Sequence, residues 1–95
     1  MAIENIVTNK LNANSASEIV RKYFIKITGE RRFYDMEWID ALDFKVIKAK
    51  WTSSGGYEVI CEMRTGPFSN TIARYDVLID NDGIISSVEK EEKNE

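Results

Sequence analysis

The sequence contains no histidine, a single cysteine and a single proline. Without histidine there is no Ser-His-Asp triad, no Cys-His pair, no histidine-based zinc site and no imidazole switch near neutral pH. One cysteine cannot close a disulfide within the chain or hold a multi-cysteine cluster. No run approaches 18 apolar residues, which excludes a membrane-spanning helix. The opening Met1-Ala2-Ile3-Glu4-Asn5 shows no basic stretch ahead of an apolar run, and no Asn-x-Ser/Thr acceptor occurs. With a lone thiol, these features favour a reducing, cytoplasmic compartment.

What is present fits one folded domain over residues 1–95. The chain is 43% hydrophobic and 31% charged, too apolar for a disordered polymer. Its 13 Lys+Arg against 16 Asp+Glu give a net charge of −3, which argues against a nucleic-acid role for the whole.

Two hydrophobic periods divide the chain. Ile3, Ile6, Val7 and Leu11 fall on one helical face, so residues 1–14 read as an arm or short helix that must dock to be stable. Asn12-Ala13-Asn14 reads as a break. Ser15-Ala16-Ser17-Glu18 then fits a capping box. Ala16, Ile19, Val20, Tyr23 and Ile27 make the stripe of a helix over about 16–28, with Phe24 widening it, Ile25 opposite, and Gly29 as the stop. From Asp43 the period becomes 2. Residues 57–64 alternate, with Tyr57, Val59, Cys61 and Met63 on one face. Residues 71–79 repeat this, and Asp80-Asn81-Asp82-Gly83 turns the chain into a last strand over roughly 84–89. The strand over about 43–52 changes phase at Val46-Ile47. A β-bulge there would put Phe44, Val46, Ile47, Ala49 and Trp51 on one face. The segment 30–42 reads as a structured crossover or an extra short helix, and 89–95 as a polar tail. No internal repeat is visible. The expected fold is α+β: an N-terminal helix packed on a four-stranded antiparallel meander sheet.

The last hairpin, Tyr75-x-Val77-x-Ile79-Asp80-x-Asp82-Gly83, resembles small cystatin-like or PepSY-like domains, which implies one helix on a curved antiparallel sheet. Over about residues 16–88 the chain is also similar to gas-vesicle accessory proteins of the O type. Thr28-Gly29 at the helix end, Glu62 closing a strand, Pro67 in the following loop and the same final hairpin carry that likeness. Neither resemblance supplies catalytic residues.

Few side-chain groupings suggest chemistry. Asp80, Asp82 and Gly83 lack the glycine spacing of an EF-hand loop and read as a turn. Cys61, in phase with apolar neighbours and without a histidine to activate it, reads as a buried hydrophobe. Glu58 and Glu62 share a strand face about 13 Å apart, too far for a glycosidase pair. Residues 20–50 carry eight basic and five acidic side chains, including edge lysines of the kind that guard a strand against pairing. No catalytic constellation, metal site or cofactor site emerges. The apolar surplus is more telling, because Ile60, Ile72 and Leu78 fall on the sheet face that the helix does not cover. Either the N-terminal segment and the 30–42 crossover cover them, or they mark an interface for a protein partner or a second copy. The favoured expectation is a non-catalytic interaction module acting through a sheet face or edge. The alternative is a small-ligand carrier whose pocket, between helix and sheet, is lined by Tyr23, Trp51, Tyr57 and Tyr75.

Overall fold

The computed structural model describes residues 11–94. The stripe of Ile3, Ile6 and Val7 lies outside them. Helix α1 spans Ala13–Thr28, one turn earlier than the Ser15 cap predicts. Asn12 is the cap instead. Its Oδ1 accepts the Ser15 N–H at 2.9 Å, and Ser15 Oγ accepts the Asn12 N–H at 2.9 Å. Either residue type suits the role, but starting at Asn12 leaves Leu11 just outside the helix, where it packs against the core and approaches Gly83. The helix ends at Gly29, with φ 95° and its N–H bonded to the Ile25 carbonyl at 3.0 Å.

Ala16, Val20 and Phe24 form the fully buried line of α1, with Ile19 and Tyr23 beside it. Ile27, placed on that stripe by its spacing, is 56% exposed. In the last turn the cover has moved to the other side. There Ile25 packs against the core, lining a hollow with Trp38 and Ile39.

That cover comes from 30–42, which is both a crossover and a helix. Strands β1 (Arg32–Phe33) and β2 (Met36–Glu37) pair antiparallel, and helix α2 (Trp38–Ala41) follows. Ile39 and Leu42 are buried. Arg21 of α1 clamps the segment from outside, reaching Glu37 at 3.1 Å and Asp40 at 3.0 Å.

The main sheet has the order β3 (Lys45–Trp51), β4 (Tyr57–Arg64), β5 (Thr71–Ile79), β6 (Ile85–Asn94), all neighbours antiparallel. Short hairpins between alternating segments make this the direct topology. The bulge falls between Val46 and Lys48. It sets Phe44, Val46 and Ala49 against the core, but leaves Ile47, the extra residue, exposed. Strand β6 runs to Asn94, so the polar residues after 89 are paired strand rather than tail. Their backbone groups bond to β5 whatever their side chains, and charge on an edge strand is the ordinary condition.

Val59, Cys61, Met63, Ala73, Val77 and Ile79 point from β4 and β5 into the core. No helix among the described residues is long and apolar enough to cross a membrane.

Candidate functional site

Two loops from distant parts of the chain meet at one end of the molecule and present aromatic rings there. In the first, β1 and β2 are joined by the two-residue turn Tyr34-Asp35. Tyr34 stands at φ 57°, a conformation glycine normally supplies at the first position of such a turn. Arg32 donates to the Asp35 carbonyl across the turn. In the second, between β4 and β5, Gly66-Pro67-Phe68-Ser69 closes with the Ser69 N–H on the Gly66 carbonyl at 3.1 Å. Proline at the second turn position fixes the backbone. Arg64 holds this loop by donating to the Ser69 carbonyl at 2.8 Å, and its Nε donates to Asp43 at 2.8 Å.

The held loops place Tyr34 and Phe68 in solvent at 85% and 87% exposure. Half-buried Phe33 joins them: its ring centroid lies 4.7 Å from Tyr34, 5.7 Å from Phe68 and 5.9 Å from Trp38. Between the loops is a hollow of about 430 Å³, lined by Phe33, Tyr34 and Phe68 with Met36, Ala41 and Pro67. Asp40 and Asp43 also line it, but each is spoken for by an arginine. On the other side of the same hairpin lies a second hollow of about 330 Å³, walled by Ile25, Trp38 and Ile39. Glu30, Arg31, Arg32 and Glu37 also line it, and the Arg31 guanidinium lies 4.2 Å from the Trp38 ring centroid.

No protein-family model matches the chain, and no curated protein or solved structure does.

The four aromatics expected to line a ligand pocket divide into two pairs. Tyr23 and Tyr75 both pack on Phe24, at 5.0 and 4.6 Å. Trp51 and Tyr57 contact each other at 5.8 Å, two cross-strand rows further along the sheet, roughly 13 Å away. Ile60, Ile72 and Leu78 lie on the open face as the alternation indicates, two of them half-buried and Leu78 39% exposed. Ile60 and Leu78 fall in adjacent cross-strand rows, while the Lys45-Glu62-Arg74-Glu91 row separates Ile60 from Ile72 and Glu58 faces Leu78 directly. Glu62 takes Lys45 at 3.8 Å and Arg74 at 3.4 Å, and Glu58 takes Lys50 at 3.7 Å.

Asp76 sits on the same face with Oδ1 enclosed and without a hydrogen-bond partner. Desolvation above all pushes its carboxyl pKa up. A hydrogen bond with Glu58 and the charges of Glu58 and Glu89 add to this, and Lys50 opposes it. The folded state therefore holds this proton more tightly than the unfolded chain. The associated stability is complete below the unfolded value of 3.8 and is lost as pH rises through the folded value. Asp76→Asn is accordingly expected to raise the melting temperature at pH 7, with the gain shrinking as pH falls towards 3.8. Thermal melts of the two proteins across that range check it; a loss of stability at pH 7 would contradict it.

Cys61 is fully buried, and burial, aided by the Glu62 charge, pushes its thiol up to about 12. The carboxylate of Asp80 accepts the N–H groups of Asp82 at 2.9 Å and Ile84 at 3.0 Å, so it serves the turn.

The aromatic end was missed by periodicity because neither loop has a period. One signal was available: a phenylalanine inside Gly66-Pro67-Phe68-Ser69 lies in a turn sequence with no strand or helix to bury it.

Proposed function

We propose that the protein is a non-catalytic interaction module that docks a partner protein on its aromatic end. The observation that carries this is the pair of rings, Tyr34 and Phe68, held almost fully in solvent by two hydrogen-bonded loops. Rigid aromatics lose little entropy on binding and dominate interface energetics when desolvated. The surrounding charges are already paired within the chain, so an apolar or aromatic side chain is the fitting guest for the hollow. On the open sheet face the ion pairs of Glu62 part Ile72 from Ile60 and Leu78, whereas at this end Phe33, Tyr34, Phe68, Met36, Ala41 and Pro67 line one hollow.

The double variant Tyr34→Ser/Phe68→Ser tests this. Both side chains are exposed, so its melting temperature should stay close to wild type. Quantitative pull-downs with wild type and variant, from the same lysate, should show partner capture reduced at least about tenfold, as loss of a binding hot spot requires. Equal capture of the same proteins by both would overturn the proposal.

A small-ligand carrier is the second reading, favoured by the hollow of about 330 Å³ in which Ile25, Trp38 and Ile39 meet the charged side chains of Glu30, Arg31, Arg32 and Glu37. A compound that fills it should raise the melting temperature with the logarithm of its concentration once that exceeds Kd. Cystatin-like ancestry and a gas-vesicle accessory role are narrower forms of the first reading, supported by helix-on-meander order and the Tyr75–Gly83 hairpin. Gas-vesicle genes beside this one would favour that form, and their absence would remove it. A reducing, cytoplasmic setting also belongs to this reading, supported by the lone buried thiol of Cys61.

A further inference from the structure

The two edges of the main sheet carry opposite charge in matching rows. On the open face one row runs Lys48, Ile60, Asp76, Glu89 from edge to edge, and the next runs Lys45, Glu62, Arg74, Glu91. Lysine thus ends each row at β3 and glutamate ends it at β6. Lys48, Glu89 and Glu91 are exposed and make no ion pair among the described residues. Lys45 reaches inward to Glu62 only at 3.8 Å. The inner face has a matching feature. Trp51, on the β3 edge, is 58% exposed, and its row runs through Tyr57 and Ile79 to Ile85 on β6.

Four strands with antiparallel neighbours leave β3 and β6 antiparallel to each other. A copy displaced along the sheet therefore sets its β3 beside β6 in the orientation that continues the ladder. With the rows aligned, Glu89 faces Lys48 of the second copy and Glu91 faces Lys45 of the second copy. Val88 then faces Ala49 of that copy, and Ile85 covers its Trp51. Pairing β3 with β3 about Lys48 would set lysine against lysine, and pairing β6 with β6 about Glu91 would set that glutamate against its own copy, with Lys90 and Lys93 offsetting part of the repulsion; like charges opposed on neighbouring strands are unfavourable. Edge lysines and a bulge are the usual guards against sheet-to-sheet pairing. Here the lysines exclude like edges and accept the acidic one, and the bulge at Ile47 keeps the matched stretch short.

We infer that the protein self-associates head to tail, β6 of one copy on β3 of the next, through the Glu89–Lys48 and Glu91–Lys45 rows. This goes beyond the aromatic-end reading and uses a different surface. A heterologous contact leaves one edge of each kind free, so the assembly is open-ended rather than a closed dimer. It is weak and salt-sensitive, because its specificity is carried by exposed charges.

Sedimentation velocity over a wide concentration range tests it. At low ionic strength, of the order of 0.01 M where screening is long-ranged, the average mass should climb with concentration past twice the 10.9 kDa monomer. At about 1 M salt it should return to the monomer. Lys48→Glu and Glu89→Lys should each require at least tenfold more protein to associate, with melting temperatures showing both variants folded. An equimolar mixture of the two should associate again, because each interface then joins opposite charges. A wild-type monomer at every concentration, growth that stops at a dimer, or a mixture no better than its components would overturn the inference. Tyr34→Ser/Phe68→Ser should leave this self-association unchanged, so its failure and that of the docking proposal are separable.

Discussion

Phe24→Ala is expected to cost about 3–5 kcal/mol of folding stability, the range for removing a fully buried aromatic. Phe24 is completely buried where α1 meets the sheet, with Tyr23, Phe44 and Tyr75 within 6.0 Å between ring centroids. Those three rings come from the helix, from the lead-in to β3 and from β5, so no single element can collapse into the space. Domains are commonly stable by only about 5–15 kcal/mol, so the loss is a large share of the whole. At 4–8 °C per kcal/mol for a domain of this size, the melting temperature should fall by roughly 12–40 °C. Phe24→Leu, which keeps most of the volume, should lose less than half as much. A drop of only a degree or two for Phe24→Ala, read by thermal circular dichroism, would mean that α1 is not seated on the sheet at this point.

Gly56→Ala should be nearly as damaging for a different reason. A Cβ at Gly56 would lie 1.9 Å from the Ile79 carbonyl oxygen and about 3 Å from backbone carbons of Ile79 and Asp80. These are main-chain atoms of the neighbouring strand, so rotating a side chain relieves nothing. The hairpin cannot simply lift away either. Gly56 donates to Thr52 Oγ1 at 3.1 Å and accepts the Thr52 N–H at 3.0 Å, and Tyr57 is in register with Ile79. Overpacking of this kind costs about 1–3 kcal/mol and sometimes more. With rigid backbone as the obstacle, the upper part of that range applies, a fall of roughly 8–24 °C. Gly66→Ala is the control. Its nearest neighbour would be Ser69 Cβ at 3.9 Å, so its melting temperature should stay within a few degrees of wild type.

The meander was legible in the sequence because each strand buries alternate residues, and alternation survives translation into a one-sided sheet. The turns were legible for a local reason. Asp80 bonds the amides of its own turn, and Gly83 takes φ 82°, which other residues avoid. Misplaced features depend on competition or on distant partners. Asn12 and Ser15 are both good caps and bond one another, so sequence alone could not rank them. Ile25 and Ile27 exchanged roles because the segment after the helix folds back over one side of its last turn. The charged stretch after residue 89 reads as a tail because it carries no apolar residue, although its backbone extends the sheet to Asn94. The aromatic end is the extreme case. Phe33 and Phe68 lie 35 positions apart in the chain and meet only once the folded loops converge.

A partner docked on the aromatic end, as proposed, would touch the two loops that carry its rings. The most direct measurement is a residue-resolved amide NMR titration of the isotopically labelled protein with the partner it captures. The shifted signals should gather in residues 32–36 and 65–69, the two loops that carry Tyr34 and Phe68. Signals that move only along residues 58–62 and 72–78 of the open sheet face, with both loops unperturbed, would contradict that docking.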